Sequence, residues 1–162
     1  MILYIIIALI VVVVIGPALF SDRSPIPETS GNVHKISKPA ELDAVLKSTS
    51  YTVVDFYADW CPPCRTIAPI FSKLADEHAT PSKLAFAKVN VDHVKDVAQR
   101  YGISAMPTFL FFKDGKPTPV AVSKNKRTAS SVSGDDAVDK VLGADAALLK
   151  RAVQALAEEA QR

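Results

Sequence analysis

The sequence has few of the residues that cross-link a small fold or bind nucleic acid. Among its 162 residues there are 2 cysteines, 6 glycines and 1 tryptophan. Two cysteines exclude a disulfide-rich scaffold, so the fold must depend on a hydrophobic core. The 19 basic residues nearly balance the 17 acidic ones, and the net charge is only +2. With no basic stripe in the sequence, we expect no nucleic-acid partner.

The two cysteines, Cys61 and Cys64, form one C-x-x-C pair, and their surroundings argue against metal or haem. One such pair supplies only half of a tetrahedral zinc site. The remaining ligands would have to come from three histidines that lack zinc-finger spacing, His34, His78 and His93. Covalent haem attachment needs a histidine directly after the second cysteine, where Arg65 stands. We therefore expect no metal site and interpret the pair as a redox-active dithiol, with two inert buried thiols as the alternative.

The first 20 residues carry no charge and are all hydrophobic except Gly16 and Pro17. As a helix, this segment would be about 30 Å long, which matches the hydrocarbon core of a bilayer. The uninterrupted run from Ile2 to Ile15 also has the length of a signal-peptide core. We interpret 1–20 as a single N-terminal hydrophobic helix that anchors the protein in a membrane, with a cleaved signal peptide as the alternative. The Pro- and Ser-containing residues 21–32 are interpreted as a linker.

Basic residues follow the apolar segment, and only the terminal amine precedes it. They are Arg23, Lys35 and Lys38. Because basic residues are enriched on the cytoplasmic side of membrane segments, this asymmetry favours a single-pass protein with its domain in the cytoplasm. Cleavage of the leader would instead predict a secreted or lumenal protein.

From residue 33 to residue 162, strand-like and helix-like patterns alternate. Short apolar runs predict strands at 33–36, 51–58, 84–91 and 107–112. Apolar residues at helical spacing follow Pro39, Pro62, Val94 and Asp145. Such alternation predicts one α/β domain whose sheet is covered by helices on both sides.

One segment, 116–141, does not fit this alternation. It is rich in Ser, Thr, Lys and Asp and is too long for a compact hairpin, so we interpret it as an exposed insertion. Its basic residues Lys124, Lys126 and Arg127 could alternatively steer an acidic partner.

The C-x-x-C pair lies where a predicted strand gives way to a predicted helix. A helix N-terminus stabilises an anion, so we expect the pKa of Cys61 to be lowered and its thiolate to be available for attack. Cys64 lies three residues before Ile67 and belongs to the apolar stripe of the helix. These positions predict an exposed, nucleophilic Cys61 and a shielded, resolving Cys64.

Asp55 interrupts the apolar strand that precedes the pair. Burial penalises a carboxylate, so we expect the pKa of Asp55 to be raised. A carboxyl group that titrates near neutral pH is suited to exchanging a proton with Cys64. The alternative is a partly solvated aspartate at the end of the strand, paired with Lys88.

Four stretches of the sequence, in the same order, resemble the thioredoxin family. The run 53–64 contains Asp55 and ends in Trp-Cys-Pro-Pro-Cys, and 105–109 resembles the cis-proline loop of the family. The stretches 112–115 and 143–144 also match. The resemblance covers about residues 33–160. It implies a thioredoxin fold, with a central mixed β-sheet flanked by helices.

The resemblance also implies roles for the matching residues. Cys61 would form a mixed disulfide with a substrate protein, and Cys64 would resolve it. Asp55 would transfer the proton, with Lys88 modulating its pKa.

Five further residues surround this pair in the family pattern. Trp60, Met106 and a cis Pro107 would line the groove that takes the substrate backbone. Pro62 and Pro63 separate the two cysteines and would modulate their chemistry. The commonest thioredoxin motif has glycine where this chain has Pro62, which removes a backbone N–H and restricts the loop.

The function implied is that of a protein disulfide reductase that contributes to cell redox homeostasis. It would hold no bound cofactor and would be reduced by thioredoxin reductase, a flavoprotein that uses NADPH. Its partners would be disulfide-containing proteins, that reductase, and a membrane through 1–20. Two alternatives remain: an oxidase or isomerase of an oxidising lumen, and a redox-inert binding module.

Overall fold

A computed structural model describes residues 1–19, 22–122 and 137–162. Helices and strands alternate in the order that the sequence predicts for an α/β domain. The helices are α1 (Ile2–Leu19), α2 (Pro39–Ser48), α3 (Pro62–His78), α4 (Lys95–Arg100) and α5 (Ala146–Gln161). The strands are β1 (Val33–Ile36), β2 (Tyr51–Tyr57), β3 (Leu84–Asn90), β4 (Thr108–Lys113), β5 (Lys116–Pro117), β6 (Val120–Ala121), β7 (Ala137–Val138) and β8 (Lys140–Leu142).

The central sheet is mixed, as predicted. Its order is β1-β3-β2-β4-β5, with β8 also pairing with β4. β3 is parallel to both β1 and β2, whereas β4 is antiparallel to β2. Every residue of β2 and β3 is buried. Strands covered on both faces need apolar side chains on both faces, which explains the nearly continuous apolar runs.

Each face of the sheet carries a hydrophobic core. On one face, α3 and α5 cover an aromatic cluster in which the ring of Phe71 lies 5.6 Å from the rings of both Phe86 and Phe109. On the other face, Leu42 of α2 packs with Phe56 and neighbouring aliphatic side chains. The prediction of helices on both sides is therefore confirmed. Both β2 and α3, which meet at the two cysteines, contribute residues to these cores.

The segment predicted as an exposed insertion is not a loop at its two ends. Short strands occupy 116–117, 120–121, 137–138 and 140–142. Four valines in or next to these strands are buried in the core beneath α5, namely Val120, Val122, Val138 and Val141. The interpretation of 116–141 as an exposed loop is therefore wrong at both ends, because these valines fill space between the sheet and α5. Lys124, Lys126 and Arg127 lie outside the described residues.

The apolar N-terminal segment forms α1, which has 18 residues. In the parts of the chain that the structure describes, no helix has both the length and the apolar character needed to cross a membrane. The prediction of a membrane anchor at 1–20 is therefore not supported.

Candidate active site

The two cysteines lie where β2 gives way to α3, and they form a disulfide bond. Cys61 is the residue that caps the N-terminus of α3, and the backbone N–H of Cys64 donates to its sulfur at 3.3 Å. The exposed Pro62 and Pro63 form the first turn between them. The local sequence thus places a sulfur atom at the positive end of a helix, where a thiolate is stabilised.

The expected difference in exposure between the two cysteines is absent. Cys61 is 3% exposed and Cys64 is 1% exposed. Both pack in a small cluster with Ile26, Tyr57 and Ala58. The prediction of an exposed Cys61 is therefore wrong for this disulfide form, because the bond directs its sulfur towards Cys64 and neighbouring side chains cover it.

Asp55 lies within β2 and is 3% exposed. Within the described residues, its Oδ1 atom has no hydrogen-bond partner. Burial raises the pKa of Asp55 from 3.8 to about 7, although the charge of Lys88 opposes the rise. The structure therefore agrees with a carboxyl group that changes its protonation state near neutral pH, and disagrees with a solvated aspartate at the end of a strand.

Lys88 is the register partner of Asp55 on β3, but its ion pair is with another residue. The Nζ atom of Lys88 contacts the carboxylate of Glu28, and it lies 5.6 Å from the centre of the Tyr57 ring. Glu28 was not among the residues predicted for the site. Nothing in the sequence near Glu28 indicates this pair, because it joins residues 60 positions apart.

Trp60, Met106 and Pro107 are the residues predicted to line a groove for the substrate. Trp60 is 45% exposed, and its indole N–H donates to Asp92 at 2.8 Å. The peptide bond between Met106 and Pro107 is cis, as the resemblance implies. Met106 packs against the cluster that contains the two cysteines. Of these three residues, Met106 is thus brought into contact with the residues around Cys61 and Cys64.

Residues 22–32, which the sequence predicts as a linker, lie along the domain and are named the strap here. At its centre, Ile26 is 8% exposed and packs in the cysteine cluster. The backbone N–H of Ile26 donates to Asp59 at 3.1 Å, and Asn90 donates to the other oxygen of the same carboxylate at 2.9 Å. The strap is thus attached beside the disulfide because it carries one apolar residue that the domain buries.

The strap is also attached at both ends. Near its start, the guanidinium of Arg65 donates to the carbonyl oxygens of Asp22 and Ser24. At its far end, the side chains of Ser30 and Asn32 both donate to Asp76, at 2.6 and 2.8 Å. These hydrogen bonds lower the pKa of Asp76. Helix α3 supplies both Arg65 and Asp76, so the strap follows the helix that carries the cysteines.

Comparison with known proteins gives a consistent result. A family profile described as thioredoxin matches residues 33–134. A thioredoxin-like protein of Fusarium culmorum is 61% identical over 88 residues, which are 54% of this chain and 73% of that protein. A thioredoxin of Neurospora crassa is 53% identical over 91 residues, which are 56% of this chain and 72% of that protein.

Solved structures show the same similarity. The crystal structure of a thioredoxin from Malassezia sympodialis superposes with a TM-score of 0.60 and 34% identity. That superposition covers 83% of this chain and 98% of the other.

Proposed function

The chain belongs to the thioredoxin family and is a thiol–disulfide oxidoreductase, and we propose that it acts as a reductase of protein disulfides. One observation carries the proposal: the Cys61–Cys64 disulfide lies at the N-terminus of α3, Met106 of the cis Met106–Pro107 peptide packs against its cluster, and the strand that leads to it carries the buried carboxyl group of Asp55. This arrangement combines a stabilised thiolate, a neighbouring second thiol and a group able to exchange a proton.

In the first proposed step, the thiolate of Cys61 attacks one sulfur of a substrate disulfide. A bond forms between Cys61 and that sulfur, the substrate S–S bond breaks, and the departing substrate thiolate takes a proton from solvent. Position at the N-cap of α3 favours Cys61 as the attacking group, because the positive end of the helix dipole and the backbone N–H of Cys64, which donates to the Cys61 sulfur, stabilise its negative charge.

In the second proposed step, the thiol of Cys64 transfers its proton to the carboxylate of Asp55 and attacks Cys61. The mixed disulfide breaks, the second substrate sulfur leaves as a thiolate, and the Cys61–Cys64 disulfide closes. The substrate gains two electrons and the enzyme loses two. A pKa of about 7 for Asp55 supports this role, because the carboxyl group then accepts and returns a proton near neutral pH.

Trp60, Met106 and Pro107 are proposed to hold the substrate chain beside Cys61. Trp60 offers an exposed aromatic surface, and Met106 packs against the cysteine cluster from the loop that contains the cis peptide. Pro62 and Pro63 are exposed between the cysteines and contribute to the same surface. An extended substrate segment would lie between Trp60 and this loop.

Members of this family need no bound cofactor, and the described residues contain no cluster of three or more ligands suited to a metal ion. We propose that a flavoprotein reductase returns two electrons from NADPH to the Cys61–Cys64 disulfide. A reductase that contributes to redox homeostasis needs a compartment with such an electron supply. The cytoplasm is the usual example.

The direction of the reaction depends on the reduction potential of the Cys61–Cys64 pair. A reductase should have a reduction potential of about −270 mV. The potential of an oxidase or isomerase of an oxidising lumen should lie between about −180 and −120 mV. Equilibration of the full chain with glutathione buffers measures this quantity. A value in the upper range would contradict the reductase proposal.

Two single variants test the roles of the cysteines. Cys61→Ser should abolish reduction of insulin disulfides, because the attacking thiolate is removed. Cys64→Ser should lose turnover but accumulate a mixed disulfide with substrate through Cys61, which mass spectrometry detects. Retained turnover in Cys61→Ser, with a native circular dichroism spectrum, would contradict the proposed role of Cys61. Absence of turnover in the wild type would favour a redox-inert binding module.

A further inference from the structure

Lys88 is a nearly buried cation with two carboxyl groups within its reach. It is 9% exposed, stands beside Asp55 in the register of β2 and β3, and makes its ion pair with Glu28 of the strap. A buried ammonium group needs a charged partner. Glu28 supplies that partner, so Lys88 can stay charged while Asp55 is protonated.

The strap residues before and after Glu28 determine its position. Two residues before Glu28, Ile26 is buried in the cysteine cluster, and its backbone N–H donates a hydrogen bond to the carboxylate of Asp59. Two residues after it, Ser30 donates to Asp76. Glu28 is 48% exposed at its side chain and also lies 3.6 Å from Lys35 on β1. The strap therefore presents one carboxylate at the point where Lys88 meets solvent.

Few other ionisable groups surround Asp55. β3 contributes Lys88, and β2 contributes Tyr57, which points to the same side of the sheet two residues further on. Glu28 on the strap and Asp59 after β2 both act on the pKa of Tyr57 and so lie at the edge of this site. The two cysteines of α3 pack with Tyr57, and Lys35 of β1 lies beside Glu28. The register partner of Asp55 on β4 is the apolar Phe109.

We propose that Glu28 is a positioning residue of the dithiol site, which holds the Lys88 ammonium at the solvent edge and so withholds it from Asp55. The strap is then part of the catalytic apparatus, although it precedes the first strand of the fold. The consequence rests on the proposed function, because it concerns the carboxyl group that takes the proton of Cys64.

The charge arrangement gives the direction of the expected effect. With Glu28 in place, the Lys88 ammonium is paired with that carboxylate and is held away from the carboxyl group of Asp55. Without it, Lys88 has only Asp55 as a carboxylate partner, and the pKa of Asp55 should fall.

The test is an NMR titration of the Asp55 side-chain carboxyl carbon in the reduced full-length protein. Glu28→Gln should lower the titration midpoint by about 0.5 to 1 pH unit, since an opposite charge nearby shifts a carboxyl pKa by about 1 to 3 units. Two controls are matched to it. Lys35→Gln removes the other cation near Glu28, and Glu77→Gln removes the same charge from a surface pair with Lys73. Both should leave the midpoint in place.

A double variant separates this mechanism from a general loosening of the strap. Lys88→Met should raise the Asp55 midpoint, and adding Glu28→Gln to it should produce no further change, because Glu28 acts through Lys88. An unchanged midpoint in Glu28→Gln, or equal shifts with and without Lys88, would overturn the proposal. The titration needs no turnover, so failure of the reductase assay and failure of this inference are separate results.

Discussion

Two groups of residues near the disulfide differ in exposure. The first group, named the closed side here, is buried and consists of Ile26, Asp55 and Lys88. The second group, named the open side here, consists of Trp60, which is 45% exposed, and the loop that carries the cis Met106–Pro107 peptide. This difference indicates separate roles. The closed side determines the protonation of Asp55, and the open side can bind another protein chain.

The largest expected effect comes from removing the buried carboxyl group of the closed side. The pKa of Asp55 is raised from 3.8 to about 7, so its contribution to stability is fully present below pH 3.8 and is lost as pH rises through 7. At 1.36 kcal/mol per pKa unit, this loss amounts to about 4 kcal/mol. In the oxidised Asp55→Asn variant, residue 55 does not titrate, so this pH-dependent loss of stability is absent.

Denaturant unfolding of both proteins at several pH values measures this effect. The free energy of unfolding of Asp55→Asn, minus that of the wild type, should increase by about 4 kcal/mol between acid and mildly alkaline pH. A constant difference across this range would show that Asp55 is not desolvated in the folded protein.

A smaller effect is expected from loosening the strap. Ile26→Ala should lower the free energy of unfolding by about 2 kcal/mol, because it removes apolar surface from the cysteine cluster. Ile26→Val is the matched control and should cost about 0.5 to 1 kcal/mol. Urea unfolding measures both. Equal stability of wild type and Ile26→Ala would mean that the closed side does not depend on the strap.

The smallest change in stability is expected on the open side. Trp60→Ala should alter the free energy of unfolding by less than about 1 kcal/mol, as is usual for exposed positions. It should nevertheless raise KM for a protein disulfide several-fold, whereas Trp60→Phe keeps the aromatic surface and should raise KM less. Steady-state insulin reduction measures both. A large loss of stability with unchanged KM would reverse the comparison between the two sides.

Local patterns in the sequence predicted much of the fold. The apolar runs of β2 and β3 identified the buried strands, and Asp145 was correctly expected to begin the last helix, where its side chain accepts from Leu148. These predictions succeeded because burial on two faces and helix capping depend on neighbouring residues. Of the site residues matched by resemblance, Met106 packs against the cluster of the two cysteines.

Several of the misses concern contacts between distant parts of the chain. The ion pair of Glu28 with Lys88 and the burial of Ile26 have no local signal, since Pro25 and Pro27 make the segment look like a linker. The valines at both ends of 116–141 were overlooked because polar residues separate them. A polar segment can therefore carry isolated residues that belong to the core.

The most direct test of the account is the pH dependence of mixed-disulfide resolution by Cys64. The full chain would be joined through Cys61 to a reporter thiol, and release of the reporter would be followed in wild type and Asp55→Asn. The wild-type rate should rise through a midpoint near pH 7, and Asp55→Asn should be slower by about 10²-fold or more at that pH and lack the midpoint. Identical rates and pH profiles in the two proteins would contradict the proposed role of Asp55.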